Sequence, residues 1–323
     1  MTYLALTGGV GGAKLALGLS KLLGEEELMI AVNTADDFQH FGLHISPDID
    51  TLLYTLAGES NPQTGWGRRE ESWGVLQALE KIGAPTWFQL GDKDLAVHLE
   101  RSGRLASGQT LTEVTAALAS ALGVRHRVLP MSDQSVRTTV HTTRGPMAFQ
   151  HYFVRARCQP IVQGFSFDGV ERAEVNPVID QCLRSDTLSG VILCPSNPFV
   201  SIDPILALPG LRQRLRTCCA PVIAVSPVVG GRAIKGPTVE MMEALSLPNS
   251  AVSVAAHYQD FLSGFVLDEQ DRALAREVRS LGVASAVAPT VMCSLEDRVG
   301  LGRACLDFLQ QLHTTPARVA EGA

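Results

Sequence analysis

The sequence predicts an α/β fold, a three-layer sandwich whose mostly parallel sheet is covered by helices on both faces. Three observations predict it. Wholly apolar runs such as Leu28-Met29-Ile30-Ala31-Val32 and Gly190-Val191-Ile192-Leu193-Cys194 suit strands buried on both faces. These runs alternate with helix-spaced patterns at both ends of the chain. Glycine-rich or polar loops follow several of them, where open α/β sheets bind ligands. Together these features describe a Rossmann-like sheet. A single domain is expected over residues 1–313, with a sheet core at about 1–56 and 186–313 and a mixed helical and hairpin insertion at about 57–185. Residues 314–323 read as a flexible tail.

The elements follow in order. Tyr3-Leu4-Ala5-Leu6 is the first strand, and Leu15, Leu17, Leu19, Leu22 and Leu23 then recur at helical spacing. After the 28–32 strand, Ile49 to Leu56, Trp73 to Ile82 and Leu111 to Leu122 read as helices, the last with Thr110 or Thr112 near its start. Val136, Thr138, Val140 and Thr142 alternate, Arg144-Gly145 turns the chain, and Met147-Ala148-Phe149 returns: a hairpin. Strands resume at 190–194, 221–225 and 264–267, and helices at Asp271 to Leu281 and Leu295 to Leu312.

Composition narrows the function. The chain has 323 residues, 46% hydrophobic and 19% charged, enough to bury a large core. Its net charge of −6 argues against a general nucleic-acid surface. No stretch approaches the roughly 20 apolar residues of a membrane span, and the start lacks a signal-peptide pattern, so a cytoplasmic protein is expected. The seven cysteines include no CxxC pair and read as reduced thiols.

Two features carry chemistry. Thr7-Gly8-Gly9-Val10-Gly11-Gly12-Ala13-Lys14 joins the first strand to the first helix. Glycines let backbone N–H groups at a helix start approach an anion, and Lys14 adds a point charge. Ala13 and Leu15 exclude a Walker A loop, and Lys14 stands where the dinucleotide fingerprint needs its third glycine. Asn33-Thr34-Ala35-Asp36-Asp37 and Ser46-Pro47-Asp48-Ile49-Asp50-Thr51 place four carboxylates within fifteen positions, beyond the second strand. Facing the turn, they suit a divalent cation over a phosphorylated substrate; Asp36 and Asp48 also suit helix caps. Asp50 is the leading candidate and Asp37 the second. Pro195-Ser196-Asn197-Pro198 follows another strand, and Ser196 and Asn197 suit either a nucleotide or a plain turn.

These motifs, with Leu90-Gly91-Asp92-Lys93-Asp94, Leu129-Pro130-Met131-Ser132-Asp133 and His257-Tyr258-Gln259-Asp260-Phe261-Leu262, resemble the 2-phospho-L-lactate transferase family of coenzyme F-420 biosynthesis, from about Tyr3 to Leu312. The resemblance implies a phosphotransferase for substituted phosphate groups. It moves a phospho-three-carbon-acid group from its guanosine-diphosphate-activated form to the deazaflavin alcohol Fo, and GMP leaves. It implies Mg²⁺ held by Asp50 and Asp48, catalysis by Asp50 and Asp37, and a nucleotide phosphate site of Thr7, Gly8, Gly9, Gly11, Gly12, Lys14, Ser196 and Asn197. Fo is expected against Asp50, Gln89, Asp92 and Lys93, Gln89 standing where a basic residue belongs. Trp87 and Phe88 suit either stacking on the deazaflavin or the core. A homodimer is expected. Mesophile-like composition points to a bacterial source, for which the resemblance implies a phosphoenolpyruvyl donor, with 3-phosphoglyceryl next and 2-phospholactyl third.

Two other functions compete. A nucleotide-sugar-binding regulator of the gluconeogenesis-factor type would share the fold without the transfer. A Rossmann dehydrogenase would need the fingerprint that Lys14 interrupts.

Overall fold

The structure, a computed structural model, describes residues 1–314. Seven parallel strands form the central sheet in the order Ala284–Val287, Gly264–Leu267, Val222–Val225, Leu188–Leu193, β1 (Thr2–Thr7), β2 (Leu28–Val32), Arg127–Pro130. The chain therefore builds outward from β1 in one direction, then returns to the other side of β1 and builds outward again. The order reverses between β1 and Leu188–Leu193, and the crevice beyond their carboxyl ends is the topological switch point.

Alternation along each strand feeds two separate cores. Leu4, Leu6, Val191, Leu193, Phe265 and Leu267 enter one; Ala5, Ile30, Val32, Ile192, Ile223 and Val266 enter the other. Both faces of the sheet are dry, which is why its strands read as unbroken apolar runs. One face packs on helices α1 (Gly9–Ser20), α2 (Pro47–Leu56), Leu111–Ala121 and Leu295–Thr314. The other packs on the hairpin sheet of Arg137–Thr142, Gly145–Ala148 and Val162–Asp168 and on short helices of the second half. The three-layer α/β architecture is as the sequence predicts.

Several expected elements form with their signals intact. Thr110 caps its helix in a full capping box with Glu113. The 145–148 strand starts on Gly145 at φ 97°. The expected helix at 271–281 divides into a 3-10 segment, Glu269–Leu274, and an α-helix, Ala275–Ser280, because Asp268 caps the first turn through the Gln270 N–H. The segment expected as an insertion supplies one strand of the main sheet, Arg127–Pro130, as well as α3 (Gly74–Lys81) and the fifteen-residue α4 (Asp92–Ala106). The last helix continues to Thr314, and residues 315–323 of the expected tail lie outside the described residues. Among the described residues no helix is long and apolar enough to cross a membrane.

Phe265 is fully buried in a strand flanked on both sides. Phe265→Ala is expected to cost about 3–5 kcal/mol, the usual range for emptying an aromatic site that cannot collapse. Urea unfolding of both proteins at pH 7.5 checks this, with the denaturant slope unchanged.

Candidate active site

The crevice at the switch point opens into a cavity of about 660 Å³, within the usual range for small-molecule sites. Its floor is the glycine turn: Gly8, Gly9, Val10, Gly11 and Lys14 all line it. The residue before α1 offers no side-chain cap; Asp48 of α2 accepts from the Gly9 N–H, and Val10 and Gly11 line the cavity beside it. Gly9 takes φ 64°, which a β-carbon would strain. A β-carbon on Gly11 would lie 2.3 Å from the Pro195 carbonyl oxygen, so glycine there lets two strand-end loops touch. The Gly8 N–H donates to Ser196 Oγ at 3.1 Å across the same junction. Thr7 and Gly12 stand behind the turn rather than in the cavity lining.

The polar loop is more structural than its composition suggests. Ser196 and Asn197 do line the cavity. Yet Asn197 Oδ1 accepts from the N–H groups of Phe199 and Val200, capping a five-residue π-helical turn, Pro198–Ile202. Lys14 Nζ donates to the Met292 carbonyl at 2.8 Å, and burial followed by the charges of Arg298 and Lys235 lowers its pKa.

The carboxylates separate by helical phase. Pro47, Asp48 and Thr51 share the face of α2 that lines the cavity. Asp50 is two positions from Asp48, a rotation of about 200° on a helix, and points elsewhere. It accepts a two-pronged ion pair from Arg101, with Nη1 to Oδ2 at 3.0 Å and Nη2 to Oδ1. Arg101 is fully buried, and its Nη1 also meets His98 Nδ1 at 3.1 Å. Asp94 joins through His98 at 3.3 Å and the Tyr54 hydroxyl at 2.6 Å. Asp94, His98 and Arg101 stand at i, i+4 and i+7 on α4, opposite Asp50 and Tyr54 at i and i+4 on α2. Burial works against the Arg101 charge, and Asp50 more than offsets it. Asp50, Asp94 and His98 have the ligand types for a cation, but the guanidinium already neutralises Asp50. The two acids expected on one metal thus take different surroundings, Asp48 in the cavity and Asp50 on Arg101.

Asp36, not Asp37, is the carboxylate from the end of β2 that lines the cavity. Its Oδ1 is buried and has no hydrogen-bond partner, and desolvation, then Asp48 and Asp37, raises its pKa well above the usual range. Asp48 accepts from Asn33 Nδ2 at 2.9 Å, and burial pushes it up to about 6. Asp37 instead fastens the hairpin Phe38–His40 and Leu43–Ile45 to the start of α2: Ser46 donates to its Oδ2 at 2.8 Å, and His44 Nε2 lies 2.9 Å away.

The far wall is aromatic. Trp66, Trp87, Phe88, Phe149 and Phe153 line it, with Phe149 and Phe153 stacked at 5.5 Å. Gln89 lies beside them in the lining. Asp92 and Lys93, expected on the Fo side, do not reach the cavity. Asp92 accepts from the Ser72 hydroxyl and the Gly74 and Val75 N–H groups, tethering the start of α3; Lys93 donates to the Arg69 carbonyl. Across the mouth, Lys235 Nζ donates to the Thr64 carbonyl at 2.5 Å.

The profile of the 2-phospho-L-lactate transferase CofD family matches residues 4–288. The chain belongs to that family. A 2-phospho-L-lactate transferase of Methanosarcina mazei is 38% identical over 290 residues, 90% of this chain and 94% of that protein. A phosphoenolpyruvate transferase of Kitasatospora aureofaciens is 35% identical over 320 residues, 97% and 99% of the two chains. The crystal structure of a UPF0052-family protein from Bacillus halodurans superposes with a TM-score of 0.61 at 13% identity, covering 94% and 98%, and shares the fold. Membership of the CofD family makes the protein a transferase.

From the sequence, Asp36 is named only within the carboxylate cluster, and neither Asn33 nor Arg101 is singled out as a site residue. The α4 stripe of Asp94, His98 and Arg101 was the readable signal for the last, since three ionisable residues at helical spacing must meet a charged partner if buried.

Two outcomes follow from this electrostatics. Arg101→Met strands the Asp50 charge and is expected to cost about 3–5 kcal/mol, whereas Arg101→Met with Asp50→Leu recovers most of it; urea unfolding of both variants is the check. Asp48 releases its proton near pH 6 when folded and near 3.8 when unfolded, so between these values the folded state holds more protons and stability falls as pH rises. Asp48→Asn should then gain up to about 3 kcal/mol at pH 7.5, at 1.36 kcal/mol per unit, and nothing at pH 3.5. An equal gain at both pH values would mean packing, not charge, is responsible.

Proposed function

We propose that the protein transfers a phospho-three-carbon-acid group from its guanosine-diphosphate-activated form to the deazaflavin Fo, releasing GMP, in coenzyme F-420 biosynthesis. The observation that carries this reading is one cavity combining a glycine-rich helix start, two buried carboxylates and an aromatic wall. The helix start and Lys14 suit a diphosphate; the wall suits a flat tricyclic ring beside Gln89. Homologues named as 2-phospho-L-lactate and phosphoenolpyruvate transferases support the reaction class.

In this reading the ribityl hydroxyl of Fo attacks the phosphorus nearest the acid. The bond from that phosphorus to the bridging oxygen breaks, and GMP departs with the oxygen. The chain's contribution is positioning and charge balance. Asp36 and Asp48 fit a Mg²⁺: one offers an orphaned buried oxygen, and both are costly to ionise without a cation. Bound there, Mg²⁺ would neutralise charge on the diphosphate. Asp50 acts through the fold, holding α2 on α4 so that Asp48 faces the turn.

The test mixes the protein with Fo, Mg²⁺ and equal amounts of phosphoenolpyruvyl, 2-phospholactyl and 3-phosphoglyceryl guanosine diphosphates. GMP should appear, with the phosphoenolpyruvyl product in excess by mass. Asp36→Asn is expected to lower turnover by about 10²- to 10³-fold while the protein stays folded. Donor binding without GMP or a heavier deazaflavin would instead support a binding protein on the same fold.

A further inference from the structure

Among the described residues the cavity is lined by three cations, Lys14, Lys235 and Arg157. Two are engaged: Lys14 with the Met292 carbonyl and Lys235 with the Thr64 carbonyl. Arg157 has no hydrogen bond, ion pair or ring contact. Neither cavity carboxylate pairs with it, since Asp48 is held by Asn33 and the Asp36 oxygen stays orphaned.

The backbone that presents Arg157 is unusual. A π-helical turn, His151–Arg155, ends as the Ala156 N–H donates to the His151 carbonyl and the Cys158 N–H to the Tyr152 carbonyl. Arg157 and Cys158 then take φ 50° and 56°, two successive left-handed residues, neither of them glycine. Glycine would take that conformation without strain, so the turn accommodates an arginine at an energetic disadvantage. Phe149, Phe153 and Val154 line the cavity with Arg157. Arg157 itself is exposed, so its planar guanidinium is open to a ligand entering the cavity and matches an oxyanion bidentately.

We propose that Arg157 is the receptor for a substrate oxyanion other than the diphosphate, held by two parallel N–H···O bonds as guanidinium holds carboxylate. This rests on the function proposed above. Two groups carry that chemistry: the carboxylate of the transferred acid and an ionised ring oxygen of the deazaflavin.

Calorimetry on wild type, Arg157→Gln, Arg157→Lys and Arg157→Gly separates them, with GDP, the activated donor and Fo as three probes. GDP affinity should change less than about twofold in every variant. Affinity for one other probe should fall about 10- to 100-fold in Arg157→Gln and Arg157→Gly, with partial recovery in Arg157→Lys. Loss confined to the donor assigns the acid's carboxylate; loss confined to Fo, fading as the ring oxygen is protonated at lower pH, assigns the acceptor. Arg157→Gly should also melt above wild type, so binding falls while stability rises, which a merely structural arginine would not do. Unchanged binding of donor and Fo by Arg157→Gln overturns the assignment alone, as does equal loss for all three probes. Wild type that binds none of them overturns the assignment together with the function it rests on.

Discussion

Helix α2 carries two carboxylates out of water, and the rest of the site follows from how each is compensated. Asp50 receives a fixed guanidinium from α4, so its charge is settled when the chain folds. Asp48 receives only neutral donors, the Asn33 amide and the Gly9 N–H, and burial keeps its pKa near 6. One acid locks the helix in place; the other stays electrostatically unfinished. A cation that entered the cavity would relieve a cost that the fold already bears.

The sheet supplies the geometry. At the switch point two strand-end loops turn in opposite directions and leave a crevice that neither fills. The Gly8–Ser196 hydrogen bond and the contact of Gly11 with Pro195 close its base, with Asp48 set against the helix start. The cavity lining joins polar groups from the strand ends to an aromatic cluster.

Legibility in the sequence tracked locality. The glycine turn, the buried central strands and the Thr110 cap are set by residues within a few positions of each other, and all were readable. The edge strands Arg127–Pro130 and Ala284–Val287 were not, being four residues long and partly exposed with no clear period. Choosing among neighbouring acids also failed locally. Asp36 and Asp37 differ by one position, and only the placement of His44 and Ser46 sends Asp37 to the hairpin. The resemblance put Asp92 on the Fo side, but its partners lie 17 to 20 residues away at the start of α3.

The strand order also governs how the chain is made. β1 lies inside the finished sheet, yet its neighbour Leu188–Leu193, the central strand, is about 185 residues downstream. At about 5–20 residues per second, a ribosome needs roughly 10–40 s to supply that neighbour. Until then the growing chain has one flank of β1 open, an apolar edge able to pair with another nascent copy. Parallel pairing across so long a loop is also intrinsically slow to nucleate. The arrangement that brings the two ligand loops together at the end thus leaves the N-terminal half dependent, during synthesis, on protection from its own kind.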